Sequence, residues 1–247
     1  MSADPHPRVT QSGAPDETQA VRERYARRPP VDPRYSLLNP SALLAAQERQ
    51  RAIAALFARL GWWDLASRRM LEVGCGTGGN LLELLRLGCA PEHLQGIELL
   101  EERAEQARRV LPATLAVHCA DALALAAQIE PGSQDVVYQS TVFSSLLDDT
   151  FQQRLADLMW SWVRPGGGVL WYDFIYDNPR NPDVRGVPLR RLRQLFPQGR
   201  LSVRRLTLAP PVARAVVRVH PSLYSLFNTL VPLRTHVLAW IEKSPSP

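Results

Sequence analysis

The stretch Leu71-Glu72-Val73-Gly74-Cys75-Gly76-Thr77-Gly78-Gly79-Asn80 decides how this chain is read. The run Arg69–Val73 predicts a short strand. The glycines predict a sharp turn against which a ligand can lie, and Gly79–Leu87 predicts a helix whose N-terminus faces that ligand. Gly74, Gly76 and Gly79 also satisfy the GxGxxG spacing that cradles a dinucleotide, so the glycines alone leave the ligand open. Glu98 closes the next apolar run. A carboxylate there suits a ribose in either reading, because it accepts from two vicinal hydroxyls at once.

Outward from this turn the pattern alternates. Strands are expected at Leu94–Glu98, Thr114–Cys119, Asp135–Gln139 and Val169–Phe174, and helices at Glu101–Val110, Ala122–Ile129 and Thr150–Val163, with a turn over 164–168. Short strands separated by helices predict an α/β domain with a mostly parallel sheet and helices on both faces. A helix over Ser41–Leu60, capped by Ser41 and stopped by Gly61, precedes it, with Leu44, Ile53, Leu56 and Phe57 as its apolar stripe and Glu48, Arg49 and Arg51 on other faces. Residues 1–35, rich in proline and poor in apolar side chains, read as a flexible N-terminal arm. Residues 36–247 read as one domain, with a helix at Leu189–Phe196, a strand at Leu201–Leu208, an apolar helical insertion at about 209–233 and a last strand at His236–Ile241.

Four further features join the glycine turn. Gly78 gives the spacing GxGxG, and Glu72 precedes the first glycine by two. Asp121 with Ala122 follows the third strand. Asp135-Val136-Val137-Tyr138-Gln139-Ser140 forms the fourth, and Arg164-Pro165-Gly166-Gly167 precedes the fifth. In order and spacing, residues 68–174 resemble the class I, Rossmann-like S-adenosylmethionine-dependent methyltransferases. The resemblance implies a seven-stranded sheet whose last strand runs antiparallel. It also implies a cofactor, S-adenosylmethionine, across the carboxyl ends of strands one to four. The residues it assigns to that cofactor are Glu72, Gly74, Cys75, Gly76, Gly78, Glu98, Leu99, Asp121, Ala122, Gln139 and Ser140, with Thr141 beside them. Tyr25 and Tyr35 would fold over as a lid, Tyr25 reaching the acceptor. Each feature has a plainer reading: glycines serve turns, and an aspartate such as Asp121 caps a helix.

The catalytic groups are less marked. Methyl transfer draws much of its acceleration from positioning, and a general base helps when the acceptor is a hydroxyl. The polar loop leaving the fifth strand offers Asp173 and Tyr176 as contacts to such a hydroxyl. Arg180 and Arg185 in the same loop offer a grip on a phosphate or carboxylate. His220, flanking the insertion, is a further base candidate, and no metal-ligand cluster is present in the sequence. The activity expected is methyl transfer, at oxygen, to a small-molecule, glycan or lipid-linked acceptor in biosynthesis. RNA or protein methylation and a dinucleotide-binding oxidoreductase are the alternatives.

Composition bounds the rest. Three cysteines are too few for a disulfide framework, no apolar run reaches membrane-spanning length, and no secretory leader opens the sequence, so a cytoplasmic protein is expected. The chain carries +5 overall. After Asp177 there are eleven arginines and Lys243 against only Asp183 and Glu242, so the preceding part is net acidic. Such a basic end suits an anionic partner. Aromatic–basic interleaving of the kind RNA-binding modules use is missing. The insertion, with Val212, Val216, Leu223, Leu226 and Phe227 beside Arg214 and Arg218, reads as an acceptor cap, a peripheral membrane contact, or plain core and dimer surface.

Overall fold

The computed structural model describes residues 16–29 and 32–245; the first fifteen residues of the expected arm lie outside them. Among these residues seven strands form one sheet: β1 (Met70–Val73), β2 (Leu94–Glu98), β3 (Ala116–Cys119), β4 (Gln134–Ser140), β5 (Val163–Phe174), β6 (Arg200–Leu208) and β7 (Arg234–Glu242). Their spatial order is β3-β2-β1-β4-β5-β7-β6. The first five pair in parallel, and only β7 runs against its neighbours, pairing antiparallel with both β5 and β6. The chain reverses to its first strand and starts outward again at the β1–β4 boundary, and the carboxyl ends of these two strands open a crevice there.

Among the described residues, eight α-helices accompany the sheet: α1 (Glu17–Ala26), α2 (Pro40–Arg59), α3 (Gly79–Arg86), α4 (Glu101–Val110), α5 (Asp149–Trp162), α6 (Leu189–Leu195), α7 (Pro210–Val219) and α8 (Ser222–Asn228). The two-residue period of the strands sorts the core. Odd-numbered Leu71, Val137, Val169, Trp171 and Ala239 pack under α5 through Leu155, Met159 and Trp162. Even-numbered Met70, Val136, Leu170, Leu238 and Trp240 pack under α2 and α3 through Ile53, Phe57, Leu81 and Leu84.

Local signals explain most boundaries, and tertiary pairing explains the departures. Helix α2 starts one residue before the expected Ser41: Asn39 caps it by accepting from the Ser41 N–H at 3.0 Å, with Pro40 at its first position. The expected turn over 164–168 lies inside β5, because Gly168 pairs with Glu242 and the Gly166 N–H reaches the Lys243 carbonyl. The helix expected at Ala122–Ile129 is a single 3-10 turn over Ala122–Leu125. Pro221 lacks the N–H that a continuous helix would use, so the insertion breaks into α7 and α8. In the arm, residues 17–26 form a docked helix, capped by Asp16.

Candidate active site

At the carboxyl ends of β1, β2 and β4 a cleft of about 820 Å³, its open mouth included, lies between the glycine turn and α1, a volume suited to a nucleoside-sized ligand. Main-chain groups shape one wall. The Gly74 and Cys75 N–H groups both donate to the Ile97 carbonyl, at 2.8 and 2.9 Å, and stitch the turn to β2. Gly74 and Gly76 sit at φ +69° and +57°, where a side chain is strained. A Cβ on Gly74 would collide with the Val142 methyl, and one on Gly76 would meet the Arg103 guanidinium at 3.1 Å.

Glu98 is buried at the end of β2 and accepts from the N–H groups of Gly76 (2.8 Å) and Leu100 (2.9 Å). Each of its oxygens keeps a lone pair for a further donor. Leu99 and Arg103 continue the wall, and Asp121 and Ala122 close its far end. Asp121 caps the 3-10 turn through the Leu123 N–H (2.9 Å) and also accepts the Thr18 hydroxyl of α1 (2.9 Å). Its capping role and its place in the cavity hold together.

The floor is the turn after β4: Ser140, Thr141, Val142 and Ser145. Thr141 is β-branched yet sits at φ +58°, a strained conformation that persists only when its surroundings enforce it. Here they do. Its N–H donates to the Tyr172 carbonyl (2.8 Å), Ser144 and Ser145 hydroxyls donate to its carbonyl, and Gln139 accepts the next N–H, that of Val142, at 3.0 Å.

Helix α1 covers this floor with Thr18, Val21 and Tyr25. Arg24 donates to the Ser145 carbonyl (3.0 Å), Glu17 accepts the Leu147 N–H (2.7 Å), and Arg27 pairs with Asp183 at 2.6 Å. The Tyr25 ring stands between the guanidinium groups of Arg28 and Arg103, 3.9 and 5.3 Å from its centroid.

Residues 70–167 match the family model described as "Methyltransferase domain". Residues 70–167 of this chain are a methyltransferase domain on a Rossmann-like sheet. Among solved structures, a SAM-dependent methyltransferase from Archaeoglobus fulgidus is 16% identical at TM-score 0.55, over 81% of this chain and 98% of that one. Geranyl diphosphate C-methyltransferase from Streptomyces coelicolor A3(2) is 15% identical at TM-score 0.58, over 85% and 86%. Phosphoethanolamine N-methyltransferase 2 of Haemonchus contortus is 16% identical at TM-score 0.55, over 92% of this chain and 60% of that one. These likenesses show the fold. No curated protein matches the sequence.

Of the residues the sequence singled out, the methyltransferase brings Gly74, Glu98, Leu99, Asp121, Ala122, Ser140, Thr141 and Tyr25 to the cavity. Others stand behind it. Glu72 is buried and accepts from the Asn80 amide at 2.6 Å, and burial pushes its carboxyl up to about 8. Gln139 is buried beneath Val142, and burial pushes the Cys75 thiol well above its ordinary range. Gly78 lets α3 start close to Leu111 of the neighbouring element. Tyr35, 78% exposed, is outside the cavity.

The three acid–base candidates separate from the cleft. Asp173 points to the α5 face rather than the crevice and is fully buried. It accepts the Ser144 N–H (3.1 Å) and its own neighbour's, Phe174 (2.9 Å), and burial pushes it up to about 7 against the pull of the Ser144 hydrogen bonds. It anchors the strained Thr141 turn from behind. Tyr176 is half-exposed and accepts from Arg205 at 3.2 Å, while His220 is exposed at the end of α7. Arg180 is exposed in the loop, and Arg185 pairs with Asp149. The loop therefore leans toward α1 and α5, whereas the α7–α8 insertion packs on α2, across the sheet from it.

Sequence reasoning missed a polar cluster on the α2 face. Glu48, expected on an outer face, is 9% exposed and accepts from the Thr207 N–H (3.0 Å), the Tyr224 hydroxyl (3.0 Å) and the Asn228 amide (2.7 Å). Next to it Arg49 stands 5.2 Å over the Tyr172 ring and 3.5 Å from Glu83. His236 stacks on the same ring at 5.1 Å, and burial, with Arg49 nearby, pushes its imidazole down to about 4. Thr18, Arg103 and Val142 were also missed; a single polar residue on a short helix, or one apolar residue in a turn, carries no periodic signal.

Proposed function

We propose that this methyltransferase moves the methyl group of S-adenosylmethionine to oxygen on a small-molecule acceptor, free or carried on a glycan or lipid. The observation that carries the reading is the division of the cavity: carboxylates at one end, a hydroxyl-bearing turn at the other. In this reading Glu98 keeps its two backbone bonds and takes the ribose hydroxyls on its remaining lone pairs, and Asp121 takes the adenine amino group. Leu99 and Val142 cover the base, and the cradle at Gly74 and Gly76 leaves room that a side chain would fill. S-adenosylmethionine, when bound, supplies a methyl carbon activated by a sulfonium. The chain's own part is positioning: Ser140, Thr141 and Ser145 offer hydrogen bonds to an acceptor hydroxyl, and α1 excludes water above it. Arg180 and Arg185 would meet an anionic group from the loop that Asp183 ties to Arg27 at the end of α1.

The test is transfer from S-adenosylmethionine carrying a carbon-13 methyl group, offered small-molecule, nucleotide-sugar, lipid and tRNA fractions, with the product methyl identified by NMR. An O-methyl signal in a small or lipid-linked product is expected. Label confined to RNA or protein would overturn the acceptor class, and an N- or C-methyl signal would overturn the acceptor atom. Displacement of S-adenosylhomocysteine by NAD would overturn the cofactor assignment itself.

A further inference from the structure

From Val184 to Ile241 the chain contains ten arginines and no aspartate or glutamate. Within that stretch α7 and α8 fold into a hairpin that buries one side on α2 through Ala213, Val216, Tyr224 and Phe227. Its other side is not covered. Val219 is 78% exposed, Leu226 62% and Leu230 53%, with Val231 beside them and the exposed Arg218 among them. The segment before α2 continues this surface. Leu37 and Leu38 are exposed, Leu44 packs on the hairpin, and Arg34 holds Asp32 in an ion pair that lowers its carboxyl.

We propose that the outer face of the α7–α8 hairpin docks this protein on an anionic lipid surface. Aliphatic side chains that reach out beside arginines match a bilayer interface, where acyl chains take the former and headgroup phosphates the latter. A second copy of the chain is a poor occupant, because like-charged arginines would meet across the two-fold. A nucleic acid would satisfy the arginines and leave Val219, Leu226 and Leu230 with no partner, since it is recognised by charge and aromatic stacking. The net acidic remainder of the chain orients the molecule with the hairpin toward a negative surface. The hairpin connects the carboxyl end of β6 to β7, so it lies along the same sheet edge as the cleft.

This inference does not rest on the acceptor reading, and cofactor binding reports separately on the active site. The experiment is co-sedimentation of the full chain with phosphatidylcholine vesicles, with and without about one third phosphatidylglycerol. Binding to the anionic vesicles alone is expected, weakening as salt rises from about 0.1 to 0.5 M. The double variants Leu226→Asp/Leu230→Asp and Arg214→Glu/Arg218→Glu should each bind roughly tenfold or more weakly. Val110→Asp, an exposed change on α4 away from the hairpin, should bind as the parent does. S-adenosylhomocysteine affinity should be equal in all of them, which establishes that each is folded. Equal binding to neutral and anionic vesicles, no binding to either, or unchanged binding in both double variants would overturn the proposal. So would a dimer lost on Leu226→Asp/Leu230→Asp, or tRNA binding that anionic vesicles do not displace.

Discussion

Along the carboxyl edge of the sheet, β1, β2 and β4 shape their cavity with main-chain groups, while β5, β6 and β7 are closed by side chains. On the first side, N–H groups of Gly74, Cys75, Gly76 and Leu100 are fixed by the Ile97 carbonyl and Glu98. On the second, Glu48 alone ties α2 to β6 and α8 through three donors, and Tyr172 reaches Thr207 at 2.7 Å. A wall of backbone needs particular residues only where the chain turns left-handed. A wall of side chains is rebuilt with each change of sequence. The difference teaches that backbone conformation holds one wall and side-chain identity the other.

The contrast breaks first, and by the largest amount, at the glycine turn. Gly76→Val puts a branched side chain into the cradle at φ +57° beside Arg103. S-adenosylhomocysteine binding should fall more than about a hundredfold by calorimetry. A folded variant with parental affinity would show that the turn does not carry the ligand. On the side-chain wall the effect should appear in stability instead. Glu48→Ala strands three buried or half-buried donors, a loss of about 3 kcal/mol in denaturant unfolding, with cofactor affinity within about twofold of the parent. A fall in affinity matching the fall in stability would erase the distinction between the two walls.

The smallest effect sharpens the boundary between them. Glu72 lies under the turn with its carboxyl pushed up to about 8 by burial. Because the folded value lies above the unfolded one, ionising this group opposes folding. Its stabilising contribution is complete below about pH 4 and is lost as pH rises to about 8. Glu72→Gln keeps the Asn80 hydrogen bond without the charge. The variant should therefore match the parent near pH 4 and exceed it by a growing margin as pH rises toward 8. Parallel stability curves for the two proteins would mean that Glu72 ionises freely where it sits.

The same division governs what could be read before the structure. The position of Gly74, Glu98 and Asp121 at one cavity was legible because their spacing follows a strand, a turn and a helix, all local. The sheet was legible because short apolar runs alternate with helical ones. Asp173 was visible as a polar residue at the end of β5, but its side was decided by strand parity, which turns it under Ser144 and away from the crevice. Glu48 and Arg49 looked like the polar face of α2 because their partners, Thr207, Tyr224 and Tyr172, lie more than a hundred residues on. Helix α1 left almost no trace. Its residues are polar, and what fixes it are bonds to Asp121, Ser145, Leu147 and Asp183 rather than an apolar stripe.

That last feature has a thermodynamic consequence. Ten residues are too few to persist as a helix in water, since the cost of nucleation is not recovered over so short a length. Once its bonds to Asp121 and Asp183 break, α1 has no conformation of its own to swing away in. Clearing the cleft on that side and melting the helix are then one event, a local unfolding rather than a hinge motion. The free energy that keeps this side of the cleft covered is the same free energy that keeps residues 17–26 protected from amide exchange.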